Sequence, residues 1–299
     1  MEQNCEILCN ACPRNCNIAR TKLNGFCGTT EQVKLAKAFL HKWEEPCISG
    51  KNGSGTIFFS GCNLKCVFCQ NYHISQEYFG KEVSSERLEE IILYLQSIGA
   101  HNINFVSPSH YILQLRKSLL KVRHRLKIPV IYNSNGYDKT SSLKLLEGLV
   151  SVYLPDIKYF KSESSLRYSG AANYFDISSQ AVLEMYRQTG KVVFDEEGMI
   201  TKGLIIRHLV LPGMTNESIK ILDWIKSNLP TENIMVSLMS QYTPFYKTTS
   251  FLEIDRRLIR REYDKVINHF IKLGFENGYI QERDSSDSKF IPDFNLEGI

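Results

Sequence analysis

The cysteines of this chain are all in its first quarter: Cys5, Cys9, Cys12, Cys16, Cys27, Cys47, Cys62, Cys66 and Cys69. The 230 residues after Cys69 contain none. The N-terminus, "MEQNCEILCNACPRNC", lacks the basic and then apolar plan of a signal peptide, so a cytoplasmic location is expected. An odd number of cysteines in a leaderless chain argues against a disulfide framework and for metal ligation. Two sets stand out. Cys9-x2-Cys12-x3-Cys16 with Cys27 supplies four thiolates, and Cys62-x3-Cys66-x2-Cys69 supplies three.

Composition narrows the setting. Of 299 residues, 43% are hydrophobic and 23% charged, which is ordinary for a globular protein. No apolar run approaches the ~18 residues of a membrane span. The formal charge of +4 is mild and argues for no nucleic-acid partner specifically. Residues 1–50 are too short to bury a core of their own and need a metal, or docking on the rest of the chain.

From residue 55 a regular alternation begins. Strands are predicted at 56–61, 102–106, 129–134, 151–156, 203–213 and 233–240. Helices follow at 84–99, 110–126, 139–149, 177–190, 216–229 and 255–274. In the first helix Leu88, Ile91, Ile92, Leu95 and Ile98 share one face. Six strand-then-helix units with near-continuous apolar strands imply a parallel sheet covered by helices. With no GxGxxG present, the expected fold is α/β, an incomplete (β/α)6 TIM-like barrel over residues 51–283. A Cys-rich segment (1–50) precedes it and a tail (284–299) follows. A flat doubly wound sheet is the fallback. Barrel chemistry sits at C-terminal strand ends. The polar residues gather there: Ser107 to His110, Asn133 to Tyr137, Asp156 with Lys158, Arg207 with His208, and Gln241 with Tyr242. The end of the tail, "KFIPDFNLEGI", is expected to dock as an extended segment.

Three thiolates directly after the first strand are one short of a closed site. Structural zinc takes four ligands. A [4Fe–4S] cube in an electron carrier likewise has a Cys on each iron. Three cysteines leave one iron open, and an open position is where a substrate or cofactor binds. The alternative is zinc completed by a distant histidine such as His73.

C-x3-C-x2-C with Phe68 before the last Cys resembles the signature of the radical S-adenosylmethionine superfamily. "SGKNGSGTIFFSGCNLKCVFCQNYHIS", "NSNGY", "YLPDIKYF", "IIRHLVLPG" and "MSQYTPF" are similar to the branch around pyruvate formate-lyase-activating enzyme, in a sub-branch of unestablished substrate. The resemblance implies a partial (β/α)6 barrel and a [4Fe–4S] cluster on Cys62, Cys66 and Cys69. It also implies S-adenosylmethionine on the open iron. Reductive cleavage to methionine and a 5′-deoxyadenosyl radical would then abstract a hydrogen from the substrate. The cofactor carries the hard chemistry and the protein binds and shields it.

By the same resemblance Phe68 contacts adenine through its backbone. Asp156 and Lys158 form the D-x-K pair that holds S-adenosylmethionine, and His208 lies near the ribose. Asn133 and Asn135 offer hydrogen bonds, though "SNG" is also a plain turn. The activating enzymes carry a Gly-Gly-Glu-like motif after strand two. Here the stretch reads "FVSPSH", leaving Ser107, Ser109 and the backbone to accept hydrogen bonds. Implied partners are a flavodoxin- or ferredoxin-like electron donor and a glycyl radical protein whose glycine loses the hydrogen. Alternatives are a small-molecule or RNA substrate, or a non-catalytic iron–sulfur or zinc redox protein.

Cys9, Cys12, Cys16 and Cys27 suit a zinc knuckle or an auxiliary [4Fe–4S] cluster equally. Cys47 reads as a buried small residue, with a substitute ligand or a reactive thiol facing the cleft as alternatives, and Cys5 as incidental. Arg256, Arg257, Arg260 and Arg261 read as a solvated basic face.

Overall fold

The computed structural model describes residues 8–282 and 292–299; Cys5 lies outside them. In chain order the first elements are β1 (Lys34–His41), α1 (Pro46–Ser49), β2 (Ser54–Phe59), α2 (Tyr72–Ser75) and β3 (Lys81–Glu82). Then come α3 (Ser85–Ser97), β4 (Ile103–Val106), α4 (Ile112–Val122), β5 (Val130–Ser134), α5 (Thr140–Leu143) and β6 (Val152–Pro155). The remainder is α6 (Ser162–Ser169), α7 (Tyr174–Thr189), β7 (Val193–Phe194), β8 (Ile200–Leu209), α8 (Thr215–Asn228), β9 (Met235–Met239), α9 (Arg260–Lys272) and β10 (Gly278–Ile280). No helix among the described residues is long and apolar enough to cross a membrane.

The sheet runs β10-β9-β8-β6-β5-β4-β2-β1-β3. β2, β4, β5, β6, β8, β9 and β10 pair in parallel. β1 adds antiparallel on the β2 edge, in register Leu35 opposite Phe59 to His41 opposite Ser54. The result is an incomplete (β/α) barrel, with the six expected strands as its staves. The helix α3 starts where Ser84 Oγ accepts the Arg87 N–H at 3.1 Å. Its Leu88, Ile91, Ile92 and Leu95 are fully buried, each worth about 1.5–3 kcal/mol relative to exposure. Ile98 departs from that face because it sits just past the last turn, 42% exposed.

Strand alternation separates two environments. Ile103, Phe105, Tyr132, Tyr153, Leu204 and Ile206 face the helices in the main core. Ile131, Val152, Leu154, Ile205 and Met235 form a second cluster with Cys47 and Ile48 of α1. That cluster is the lower barrel interior, and α1 fills it as a plug. Two residues further along the same strands the inner face turns polar: Asn133, Asp156, Arg207 and Ser237 line a cavity. Cys47 is thus a buried small residue of the plug, as expected.

Five segments differ from the sequence expectation. Residues 34–49, assigned to the Cys-rich segment, join the sheet and the barrel floor. The long loop after β6 contains α6, and β10 extends the sheet. The last helix starts at Arg260 rather than 255, with Arg256 outside it and bonded to Glu262. The end of the tail docks, though as a bend and turn rather than an extended segment: Leu296 N–H donates to Ala36 O and Ala38 N–H to Glu297 O along the free edge of β1, Leu296 has φ +64°, and residues 283–291 of the expected tail lie outside the described residues.

Candidate active site

The loop after β2 carries Cys62, Cys66 and Cys69 to one end of a cavity of about 510 Å³. Its other walls are Phe68, Ser107, Asn133, Asn135, Asp156, Lys158, Arg207, Gln241 and Tyr242. Each thiol meets at least one polar side chain. Asn135 Nδ2 donates to Cys62 Sγ at 3.3 Å, Ser169 Oγ donates to Cys66 Sγ at 3.0 Å, and Ser75 Oγ lies 3.3 Å from Cys69 Sγ. Burial pushes all three thiols up to about 11, so a metal binding here must displace protons. Hydrogen bonds to sulfur stabilise the charge that results.

Asn135 makes the turn that "SNG" allowed and also reaches the cysteine loop. Its Oδ1 accepts the Tyr137 N–H at 2.9 Å, which makes the turn, while Nδ2 reaches Cys62 and Asn63. Gly136 is required there, since it has φ +77° and a Cβ would come 2.0 Å from Asp156 O.

Asp156 and Lys158, two residues apart at the end of β6, both reach the cavity and form an ion pair only 21% and 16% exposed. Burial draws the Lys158 ammonium down, but Asp156 and the nearby Cys66 and Cys69 outweigh it and hold its pKa above the ordinary value. Phe68 is buried edge-to-face on Tyr242 with ring centroids 5.6 Å apart. Ser107 has φ +58°, a left-handed conformation that costs a side-chain-bearing residue roughly 1–2 kcal/mol. The Ser107 N–H donates to Asn133 O at 2.9 Å, anchoring the strained turn to β5.

Two expected site residues, and the histidine of the alternative zinc reading, lie elsewhere. His208 is buried on the opposite face of β8, with Nδ1 2.7 Å from Ile157 O, and burial lowers its pKa to about 4. Its neighbour Arg207 takes the cavity position, because adjacent strand residues point to opposite faces. Ser109 is buried and does not line the cavity. His73, the proposed fourth zinc ligand, bonds Glu77 at 2.9 Å and stacks on Phe79, away from the cavity.

The cavity floor is a charge network the sequence did not signal. Glu44 and Glu45, just before the plug helix, both accept from the Arg207 guanidinium, Glu45 Oε1 at 2.8 Å from Nε. Asn104 Nδ2 donates to Glu44 Oε1 at 3.0 Å and Asn133 Nδ2 at 3.4 Å. Burial would raise the Glu45 pKa, but Arg207 overrides it and keeps the carboxylate charged. Two carboxylates face one guanidinium, so the floor carries one surplus negative charge.

The N-terminal cysteines sit directly behind the loop. Cys12 and Cys27 are buried, Cys9 and Cys16 partly so. Phe26 N–H donates to Cys16 Sγ at 3.4 Å, and Thr29 Oγ1 lies 3.3 Å from Cys27 Sγ. The Cys16 and Cys27 sulfurs flank Gly25, 3.8 and 3.3 Å from where its Cβ would be. Among the described residues no three Cys, His, Asp or Glu side chains converge as one metal ion requires. Cys62 N–H donates to Cys27 O at 3.3 Å, and Arg14 donates to Asn63 O at 2.8 Å and Gly170 O at 2.7 Å. These bonds lock the segment onto the cysteine loop.

A partial barrel with three thiols and a buried ion pair at its C-terminal mouth has the layout of a thiolate-ligated metalloenzyme. The chain belongs to the radical SAM superfamily, whose model matches residues 56–225. It is an enzyme of the iron–sulfur, S-adenosylmethionine-using kind. It is 37% identical over 269 residues to an uncharacterized protein of Methanocaldococcus jannaschii, covering 87% of this chain and 73% of that protein. SuiB of Streptococcus suis shares the fold with a TM-score of 0.51 at 16% identity, over 77% of this chain and 48% of SuiB. Its structure bound to S-adenosylmethionine gives a TM-score of 0.51 at 17% identity, over 74% and 48% of the two chains. The chain thus spans about half the length of SuiB, and at this identity the likeness is one of fold.

Proposed function

We propose that the cavity holds a [4Fe–4S] cluster on Cys62, Cys66 and Cys69 with S-adenosylmethionine beside it, and that a substrate hydrogen is abstracted there. The observation that carries this is the opening of all three thiols and the Asp156–Lys158 pair onto one cavity. The donor set fits: three thiols, each with a polar neighbour, and no fourth cysteine among the cavity-lining residues; His41 lines the cavity as well, packed against Phe39 and Phe58. When bound, the group supplies one electron that cleaves S-adenosylmethionine to methionine and a 5′-deoxyadenosyl radical. The residues' parts follow from their chemistry. Lys158 pairs with the cofactor's carboxylate and Asp156 with its cationic groups. Phe68, Ser107 and Asn133 form the wall around it. His208, neutral and turned outward, holds the chain after β6 through Ile157.

For the substrate, the surplus negative charge of the floor favours an amine-bearing group, on a small molecule or a peptide segment. A SuiB structure bound to its precursor peptide SuiA shares this fold with a TM-score of 0.50. The finer reading, a glycine of a glycyl radical protein, has less behind it, since "FVSPSH" replaces the acidic motif of the activating enzymes. The test is anaerobic reconstitution with iron and sulfide, reduction, and addition of S-adenosylmethionine. The expected result is 5′-deoxyadenosine and an EPR signal altered by the cofactor. Neither appearing would overturn the proposal.

A further inference from the structure

We infer that Ser169, aimed by Tyr159, is a positioning residue for the Cys66 thiolate that eases reduction of the group bound there, and that helix α6 is the brace that keeps it in place. This rests on the proposed function, which puts an iron–sulfur cluster on Cys62, Cys66 and Cys69. Three sets of observations carry it.

The first is a pair of hydroxyls. Ser169 Oγ lies 3.0 Å from Cys66 Sγ, closer than the 3.3 Å contacts at Cys62 and Cys69. On its other side the Tyr159 hydroxyl lies 2.7 Å from the same serine oxygen. A metal-bound thiolate has no proton to give. Ser169 must then donate to Cys66, and its oxygen is left to accept from Tyr159. The order of donation is therefore fixed: Tyr159 to Ser169 to Cys66. Both residues are fully buried, so water does not compete and each bond strengthens the next. Tyr159 is itself wedged, edge-on to Tyr174 with ring centroids 5.5 Å apart and stacked on Tyr168 at 6.5 Å.

The second is the seam between α6 and the cysteine loop. The last four carbonyls of an α-helix have no intrahelical donor. In α6 two of them are taken by the loop: Lys65 N–H donates to Ser169 O at 3.1 Å and Val67 N–H to Tyr168 O at 2.9 Å. These two amides flank Cys66. The helix end thus holds the backbone around the thiol and, through Ser169 Oγ, the thiol itself.

The third is the far end of α6. Glu217 of α8 is buried, and a buried carboxylate is costly unless it is bonded. It accepts the Phe160 and Lys161 N–H groups at 3.0 Å each, and the Ser164 hydroxyl. Its charge therefore sits at the N-terminus of α6, where the helix dipole favours it. α8 is anchored in the main core by Ile221, Leu222 and Ile225. The brace is held at one end by the core and grips the cysteine loop at the other.

The chemistry follows from charge. An electron accepted at the site adds negative charge to its sulfurs. A hydrogen bond to one of them stabilises the reduced form more than the oxidised form and raises the potential. The proton stays on Ser169, and no bond is made or broken.

The experiment has two arms. In the first, the reconstituted wild type, Ser169→Ala, Tyr159→Phe and the double variant are titrated with reductant without S-adenosylmethionine, and the reduced fraction is read by EPR. Ser169→Ala should shift the equilibrium toward the oxidised form about tenfold, or ~59 mV for a one-electron couple. Tyr159→Phe should shift it the same way by less. The double variant should go no further than Ser169→Ala, because both act through one proton. An unchanged potential in Ser169→Ala, or a double variant in which the two shifts add, would overturn the relay. The second arm uses the full chain as purified, before reconstitution. Glu217→Ala should speed hydrogen exchange at the Lys65 and Val67 amides at least tenfold while the amides of β5 and β6 keep wild-type rates. Glu217→Gln, which keeps one acceptor oxygen, should fall between. Equal Lys65 and Val67 rates in wild type and both variants would overturn the brace. A wild type that assembles no cluster on the three cysteines would fault the proposed function, and the relay with it, while exchange still decides the brace.

Discussion

The two cysteine sets are neighbours in space but are held in place by different physics. Cys62, Cys66 and Cys69 hang from β2, whose six residues are all buried, and their loop is shaped by a complete core. The Cys9–Cys27 segment contributes only Ala11 to the main core, with Cys9 partly buried against it, and leaves Leu8, Leu23 and Phe26 exposed. The barrel presents its cysteines from a packed core, whereas the N-terminal segment is held by its bonds to the barrel, such as those from Arg14 to Asn63 O and Gly170 O.

This contrast can be broken by mutation. The largest expected effect is on activity: Cys62→Ala/Cys66→Ala/Cys69→Ala should abolish 5′-deoxyadenosine formation while the far-UV CD melt of the barrel stays near wild type. Replacing Cys12 and Cys27 by Ala should do the converse to structure. Limited proteolysis should then cut within residues 8–30 while the barrel remains resistant. If both variants unfold together, the two regions are one cooperative unit. Next, Lys158→Ala should weaken S-adenosylmethionine binding about tenfold, read by calorimetry on the reconstituted protein, because one charge-assisted contact of about 1.4 kcal/mol is lost. Unchanged affinity would place Lys158 outside the cofactor's reach.

Arg14→Ala probes the seam between the regions. It leaves the Asn63 and Gly170 carbonyls without that donor, at a cost of about 1–3 kcal/mol, so the N-terminal amides should exchange faster in hydrogen-exchange measurements. The smallest effect is remote from both. Hydrogen bonds from Arg256 hold Glu262 down to about 2, against an ordinary value of 4.5. Its contribution is fully present above the ordinary value and is lost as pH falls through about 2. Urea midpoints should therefore drop between pH 5 and pH 2.5, and by less in Glu262→Gln.

Legibility in the sequence followed range. The strand periodicity placed six staves, and Asp156 and Lys158, two residues apart, could be read onto one side of the chain. The structure turns Arg207, not His208, into the cavity: on a strand buried on both faces such as "LIIRHLVL" the pattern alone does not say which face turns inward. Glu44 and Glu45 carried no signal, because they gain meaning only through Arg207, 163 and 162 residues away. Ser169 is 103 residues from the thiol it serves, on a helix expected to be loop.

By itself, then, the sequence determined the spacing chemistry: three thiols with one position left open, four thiols in a coreless segment, and an alternation that closes most of a barrel. These are local properties, set by residue type and separation of a few positions. Only the tertiary structure decided which side of β8 faces the cavity, which acids floor it, and that Cys27 touches Cys62. Those depend on packing between distant segments, where burial and the need to pair every buried charge select partners that no local pattern encodes.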